Sequence, residues 1–327
     1  MGDGRGPLIE QKAVMEEIAC IFCNIWNAQV LIEENGYLGR KCANCGLIYI
    51  SPRPRAEAVV ELYENDNAQI SADAHISLER RSRLYARHHL GILGKFAREG
   101  SLLEIGAGAG YFLSEARERG YEPYAIEFNA AQAEFMRTRL EIPCEQTPLG
   151  PASFGGKSFD VIYHCDVMSH FYDPIGEFRR MRAALRPGGW LIFETGNGGD
   201  VDLKYLEHVS VFQYPDHLFF FSLANVLALL GRSGFEFVEL HRYSVMPQLR
   251  ALETLERARK LAARRSSAPA EAVNGTPPTP NGRSRELLGG ASDYVNYLLR
   301  YKIGSAAPKA GRLQTFVVVA RAREGEA

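Results

Sequence analysis

The stretch Leu102-Leu103-Glu104-Ile105-Gly106-Ala107-Gly108-Ala109-Gly110 carries the strongest chemical implication in this chain. It reads as a buried strand running into a glycine turn and then a helix. A turn of this kind lets bare backbone approach a nucleotide-like ligand. The candidate contacts are Gly106, Ala107, Gly108 and Gly110. A dinucleotide fold would place a third glycine or alanine where Tyr111 stands, and it would present no carboxylate to a pyrophosphate. Glu104, two positions before the first glycine, instead suits a positively charged ligand. S-adenosylmethionine (SAM), with its sulfonium and ammonium groups, is such a ligand.

A second acid follows at the distance that one helix and one strand require. Glu127 stands seventeen residues after Gly110, where a carboxylate accepts hydrogen bonds from both hydroxyls of a ribose. Phe128 beside it is placed to flank an adenine, and Gln146 and Thr147 to meet the adenine edge. The bland alternative for Glu127 is a solvated strand end. Pairing with the glycine turn weighs against that.

Four of the six cysteines form a separate pattern. Cys20 and Cys23 are two residues apart, and after eighteen residues Cys42 and Cys45 repeat the spacing. Two such turns can meet as a tetrahedral thiolate site for structural zinc. Asn35-Gly36 between them is a hairpin turn signal, flanked by strand-like 28–32 and 37–41. Cys144 and Cys165 sit in strand-like text as small buried side chains.

The elements that must position these groups follow from periodicity. Helices are expected over 56–64 and 78–98, with a polar, mobile segment at 65–74. From Ser101 strand and helix alternate, which implies a parallel sheet covered on both faces. Strands are expected at 102–105, 121–126, 142–145, 159–164, 190–194, 235–243 and 314–321. Asn129, Asp173 and Ser222 are candidate helix caps. A charged helix over 249–265 precedes a Pro/Ser/Gly/Asn-rich stretch, 266–283, expected to be disordered.

With 38 basic and 39 acidic residues, the chain gives no global push toward nucleic acid or an anionic membrane. The text shows no secretory leader, and its longest apolar run, Leu218 to Leu230, is too short to span a bilayer. A cytoplasmic protein with reduced thiols is expected.

Taken together, LLEIGAGAGYFL (102–113), YAIEFN (124–129), FDVIYHCDVMSHFYDP (159–174), LRPGGWLIFET (185–195) and HLFFFS (217–222) resemble a class I SAM-dependent methyltransferase. The four-cysteine module followed by CGLIYISPRPRAEAVVELY (45–63) is similar to the zinc-ribbon-plus-methyltransferase proteins of sugar and secondary-metabolite pathways. The resemblance implies a Rossmann-like α/β fold with a seven-stranded sheet of order 3-2-1-4-5-7-6, plus a small zinc ribbon. It implies that Glu104, Gly106, Gly108, Glu127 and the segment His164-Cys165-Asp166 line the cofactor pocket. It also places Tyr214-Pro215-Asp216-His217 over the acceptor side.

Methyl transfer from a sulfonium is a direct displacement in which the protein mainly aligns the partners. A base is needed only where the acceptor must lose a proton. His217 is the leading candidate, with His208 and Tyr214 behind it, and His170 is the second; each histidine also has a purely helix-anchoring reading. Asp166 either holds the methionine ammonium or caps a turn. The zinc module, with four thiolates and no open position, is structural, forms a cleft wall, or docks a carrier protein.

The chain therefore divides into a ribbon (1–52), a helical connector or lid (53–98), a SAM-binding core (99–247), an insertion (248–290) and a terminal helix and strand (291–327). The expected function is methylation of a small-molecule acceptor, a nucleotide-linked sugar or natural-product intermediate. A homodimer is compatible with this, and nucleic acid is disfavoured on charge. The alternatives are a zinc-ribbon binding protein with a SAM-sensing but inactive domain, and an RNA methyltransferase.

Overall fold

The computed structural model describes residues 15–26, 28–56, 66–206, 212–266 and 282–324. Strands β1 (Met15–Glu16), β2 (Gln29–Glu34), β3 (Tyr37–Lys41), β4 (Ile48–Ile50) and β5 (Arg53–Pro54) come first. Helices α1 (Asp66–Ser77) and α2 (Glu79–Leu93) follow. The alternating region holds β6 (Gly100–Ile105), α3 (Tyr111–Arg117), β7 (Tyr121–Ile126), α4 (Ala130–Arg139), β8 (Cys144–Glu145), β9 (Phe159–Cys165), α5 (Pro174–Ala184) and β10 (Leu185–Gly196). Then come β11 (Phe219–Phe220), α6 (Leu223–Arg232), β12 (Phe235–Ser244), α7 (Met246–Ser266), α8 (Gly282–Tyr297), a π-helical turn over Leu298–Ile303, and β13 (Gln314–Ala322).

Seven strands form one sheet in the order β12-β13-β10-β9-β6-β7-β8. Counted by chain order within the sheet, this is 3-2-1-4-5-7-6 read from the β8 edge. β13 runs antiparallel to both β10 and β12, and the others are parallel. Each face buries its own core. On one side Leu103, Ile105, Ile162 and Phe193 pack against α5 and α6. On the other, Leu102, Val161, Tyr163 and Ile192 pack against α2 and α3. Parallel strands buried on both faces explain the continuous apolar runs of β6 and β9.

The local signals act where they stand. Asn35 and Gly36 both take positive φ (54° and 80°), as a two-residue hairpin turn requires. Asn129, Asp173 and Ser222 accept hydrogen bonds from the backbone N–H groups of Gln132, Gly176 and Asn225.

A second sheet joins the cysteine module to a segment far downstream in the sequence. β2, β3 and β4 are extended by β11, which pairs antiparallel with β4 through Phe219↔Tyr49 and Phe220↔Ile48. Leu47, Tyr49, Phe219 and Phe221 are all nearly inaccessible and continue the core beneath α5 and α6. Phe221 meets Phe22 of the first cysteine turn edge-on at 6.5 Å.

Some expectations change. The segment 65–74, read as a mobile connector, belongs to α1 from Asp66 onward. Its anchors are tertiary: Ala72 is fully buried, and Ile76 O accepts from the Tyr111 hydroxyl at 2.8 Å. The helix expected over 78–98 stops at Leu93, where Gly94 caps it. The strand expected at 142–145 shortens to β8, because Ile142 is held against the end of α4 by a bond from its N–H to Met136 O. Most of the helix expected at 56–64 and of the stretch expected to be disordered, 266–283, lies outside the described residues. Among the described residues no helix is long and apolar enough to cross a membrane.

The continuous core predicts that the cysteine module and the main sheet unfold together. In a Trp190→Phe background, Trp26 fluorescence reports on the module and far-UV ellipticity on the helices. Both should fall at one denaturant concentration, and Phe221→Ala should shift both by about 3–5 kcal/mol. Two separated transitions would contradict a shared core.

Candidate active site

The glycine turn hangs from the carboxyl ends of β6 and β7. Gly106, Gly108 and Gly110 all sit at positive φ. At Gly106 a side chain is also sterically barred, since a Cβ would come within 2.5 Å of Val167 Cγ2. The N–H groups of Gly106 and Ala107 both donate to Ile126 O, at 2.8 and 3.3 Å. Gly108 N–H donates to Glu127 Oε2 at 2.7 Å, and Asn129 N–H to Glu127 Oε1 at 2.8 Å. Glu127 thus fixes the turn while its remaining lone pairs stay available. α1 lies over this region: a Cβ on Gly108 would stand 3.5 Å from His75 Nδ1, which pairs with Gln132 Nε2 at 3.1 Å.

Glu104 is the least satisfied group here. It is buried, its Oε2 has no hydrogen-bond partner, and burial followed by the Glu127 charge pushes its carboxyl well above the usual range. A buried carboxylate without a partner is costly, and a cationic ligand would relieve that cost. The donor set therefore fits SAM: a carboxylate for the ammonium, a glycine cradle, and Glu127 for the ribose. Phe128, half-exposed beside Glu127, keeps a free aromatic face. Thr147, with Glu145 and Gln146, lines an open cavity of about 500 Å³ past β8.

Two sequence candidates are relocated. His164 is in register with Ile105, so it points to the face opposite Glu104. There its ring stacks on Phe193 at 4.9 Å and meets Phe171 and Phe178 edge-on. Burial alone lowers its pKa to about 3, so it is a neutral core ring, and only its backbone reaches the strand end. Tyr214 is buried too. Its hydroxyl sits where a Cβ on Gly39 would stand, among Phe212 and Phe220. His208 lies outside the described residues.

The remaining candidates converge. His170 and His217 meet edge-on at 4.7 Å, and His170 Nδ1 lies 3.2 Å from Asp216 Oδ1. Ligand atoms of all three groups fall within 4.8 Å of one another. Burial lowers the His217 pKa, aided by His170. Burial also opposes charge on His170, but Asp216 outweighs it and the pKa rises. The pair is thus split into a neutral imidazole and a more basic one, the pattern of an acid–base site. The segment carrying His217 is held by the cysteine module. Glu34 accepts from the N–H groups of Phe212 and Tyr214, each at 2.7 Å, and Asn35 Nδ2 donates to Tyr214 O at 2.9 Å.

Sequence reasoning missed a buried network beside Cys165 and Asp166. Asp166 N–H donates to Glu194 O at the ends of β9 and β10. The Glu194 carboxylate pairs with Arg300, lies 2.8 Å from His89 Nε2 and accepts from the Tyr301 hydroxyl at 3.2 Å. Burial opposes its ionisation, yet Arg300 and His89 prevail and hold it at about 2. The available signal was one acid in an apolar strand, Leu191-Ile192-Phe193-Glu194.

Cys20, Cys23, Cys42 and Cys45 bring four sulfurs within 4.8 Å, with Cys20 Sγ and Cys45 Sγ 3.5 Å apart. A zinc tetrathiolate with bonds of about 2.3 Å requires sulfur edges of about 3.8 Å. Each turn is closed by backbone bonds, Asn24 N–H to Cys20 O and Gly46 N–H to Cys42 O. The set fits a closed structural zinc site. Metal analysis of the purified chain should find about one zinc per chain, and Cys42→Ser should lower both zinc content and stability; full retention of metal in that variant would remove Cys42 from the ligand set.

Comparison with known proteins places the chain beside methyltransferases. The chain is 30% identical over 156 residues to the ubiquinone biosynthesis O-methyltransferase of Ruegeria pomeroyi, covering 42% of this chain and 63% of that protein. It is 29% identical over 151 residues to the tRNA U34 carboxymethyltransferase of Syntrophotalea carbinolica, covering 41% of this chain and 44% of that protein. It thus spans less than two thirds of these relatives' length. A chain from the complex of the Haloferax volcanii Trm112 methyltransferase activator with a methyltransferase shares the fold, at TM-score 0.50 and 15% identity, covering 78% of this chain and 96% of that one. The family model described as "Methyltransferase domain" matches residues 77–240, half of the sequence, and the chain belongs to that family.

Proposed function

We propose that this protein transfers a methyl group from SAM to the oxygen or carbon of a small-molecule acceptor, a nucleotide-linked sugar or natural-product intermediate. The observation that carries the reading is Glu104: buried, with one oxygen unpartnered, at the mouth of a glycine turn. When bound, SAM supplies an already activated methyl group. The chain's residues then hold and orient. Glu104 meets the ammonium, Glu127 the ribose hydroxyls, Phe128 and the Thr147 region the adenine, and Asp166 the methionine end.

His217 is proposed as the base that takes the acceptor's proton, with Asp216 and His170 beside it setting its orientation and charge. The four cysteines are proposed as a zinc ribbon whose hairpin tip, Glu34 and Asn35, holds the His217 segment in place. The near-balanced charge of the chain speaks for a small acceptor. A second reading, an RNA acceptor, is favoured by the names of the tRNA-modifying relatives. Incubation with labelled SAM and either a panel of nucleotide sugars or bulk tRNA separates the two.

Calorimetric titration with SAM tests the cofactor site. Glu127→Ala should weaken binding by tenfold or more, about 1.4 kcal/mol. Wild-type affinity should rise as pH increases through the raised range of Glu104, because proton loss creates the charge that meets the cation. Glu104→Gln should bind weakly and lose that dependence; an unchanged pH profile would remove Glu104 from the site. Turnover should rise with pH along a limb below the usual histidine value of about 6.5. His217→Ala should abolish that limb at nearly unchanged SAM affinity, and wild-type turnover would reduce His217 to a structural role.

A further inference from the structure

One cavity lies outside the groups assigned so far. It has a volume of about 280 Å³ and is bounded by Arg81, Arg300, Gln248, Asn296, Leu249 and Leu252. α2, α7 and the π-helical turn meet around it, next to the buried Glu194 network. At that size it stands near the lower end of small-molecule sites, about 300 Å³.

Two guanidinium groups, Arg81 and Arg300, are its only charged lining. The Arg81 and Arg300 guanidinium carbons each lie 5.5 Å from the centre of the Tyr85 ring, so two cations flank one phenol. The Tyr85 hydroxyl is buried and has no hydrogen-bond partner among the described residues. Arg300 Nε is buried and equally without an acceptor. Arg81 has no carboxylate partner among the described residues, whereas Glu194 is already shared by Arg300, His89 and Tyr301. A buried guanidinium nitrogen without an acceptor, beside a second, half-buried guanidinium, calls for an acceptor, and a planar guanidinium pair matches a carboxylate or phosphate. Leu249 and Leu252 supply an apolar wall for whatever carries the charge.

We propose that this cavity binds an anionic group, a carboxylate or a phosphate monoester borne on a small apolar or cyclic body, through Arg81 and Arg300, whose guanidinium groups line it with the Tyr85 ring between them. Because Arg300 also holds Glu194 at the ends of β9 and β10, a ligand seated here lies one side chain from the strand ends where methyl transfer is placed. The cavity is then the acceptor's anchoring site. That last step rests on the methyltransferase reading, while the anion site itself does not.

The test uses the full-length chain with benzoate, phenyl phosphate and neutral benzyl alcohol, followed by ligand-observed NMR or calorimetry, with SAM titrated into the same preparation. At least one anion should bind tenfold or more tightly than benzyl alcohol. Preference for benzoate assigns a carboxylate, and preference for phenyl phosphate assigns a phosphate. Arg81→Ala should weaken the preferred anion about tenfold, and Arg81→Lys, which keeps the charge and loses the planar fork, several-fold, both at wild-type SAM affinity. Anions binding no better than the alcohol, or binding unchanged in both variants, would overturn the proposal. SAM binding without anion binding sinks this inference alone. Anion binding without SAM binding sinks the methyltransferase reading and leaves the anion site standing.

Discussion

Burying Glu104 is the constraint around which the molecule is arranged. A carboxylate at the end of a central parallel strand lies far from bulk water, and a second acid, Glu127, raises the cost of ionising it. Among the described residues no cation relieves this. The fold closes a glycine turn over the site and ties one Glu127 oxygen to the turn's Gly108 N–H and the other to the Asn129 N–H that opens α4. The result is a rigid, negatively biased mouth. Its shape depends on backbone that no side chain could replace at Gly106, where Val167 presses in.

The other functional groups are carried by parts of the chain that are remote in sequence. The cluster of His170, Asp216 and His217 stands on the turn after β9 and on the segment before β11, linked by a bond from Leu218 N–H to Ser169 O. The cysteine hairpin braces that second segment through Glu34 and Asn35. On the far face, α2 and the π-helical turn press His89, Arg300 and Tyr301 onto Glu194. Three regions therefore converge on the carboxyl edge of one sheet, where parallel α/β folds place their ligands.

The legible features were those whose cause is local. Glycine spacing, an Asn-Gly turn, paired cysteines and N-caps each impose their geometry within a few residues. So the turn at 106–110, the hairpin at 35–36 and the helix starts at 130, 174 and 223 could be read directly. What escaped depended on partners distant in the chain. α1 has no apolar periodicity of its own and is fixed by Tyr111 and Gln132. His164 was grouped with Asp166 by sequence adjacency, yet strand alternation turns its ring into the aromatic core. Tyr214 reads as a polar aromatic near a histidine, but Gly39, on a strand far upstream, gives it a place to bury. Glu194 gained its meaning only from Arg300, more than a hundred residues later.

The pairing of β4 with β11 has a bearing on synthesis. The cysteines leave the ribosome about 170 residues ahead of the strand that completes their sheet. Until Phe219 to Phe221 emerge, the nascent ribbon presents an open edge and a half-covered apolar face. Its thiols remain exposed to exchange for that interval. Chaperone cover during translation should then govern yield, and a chain trimmed ahead of β11 would carry an adhesive edge instead of a self-sufficient domain.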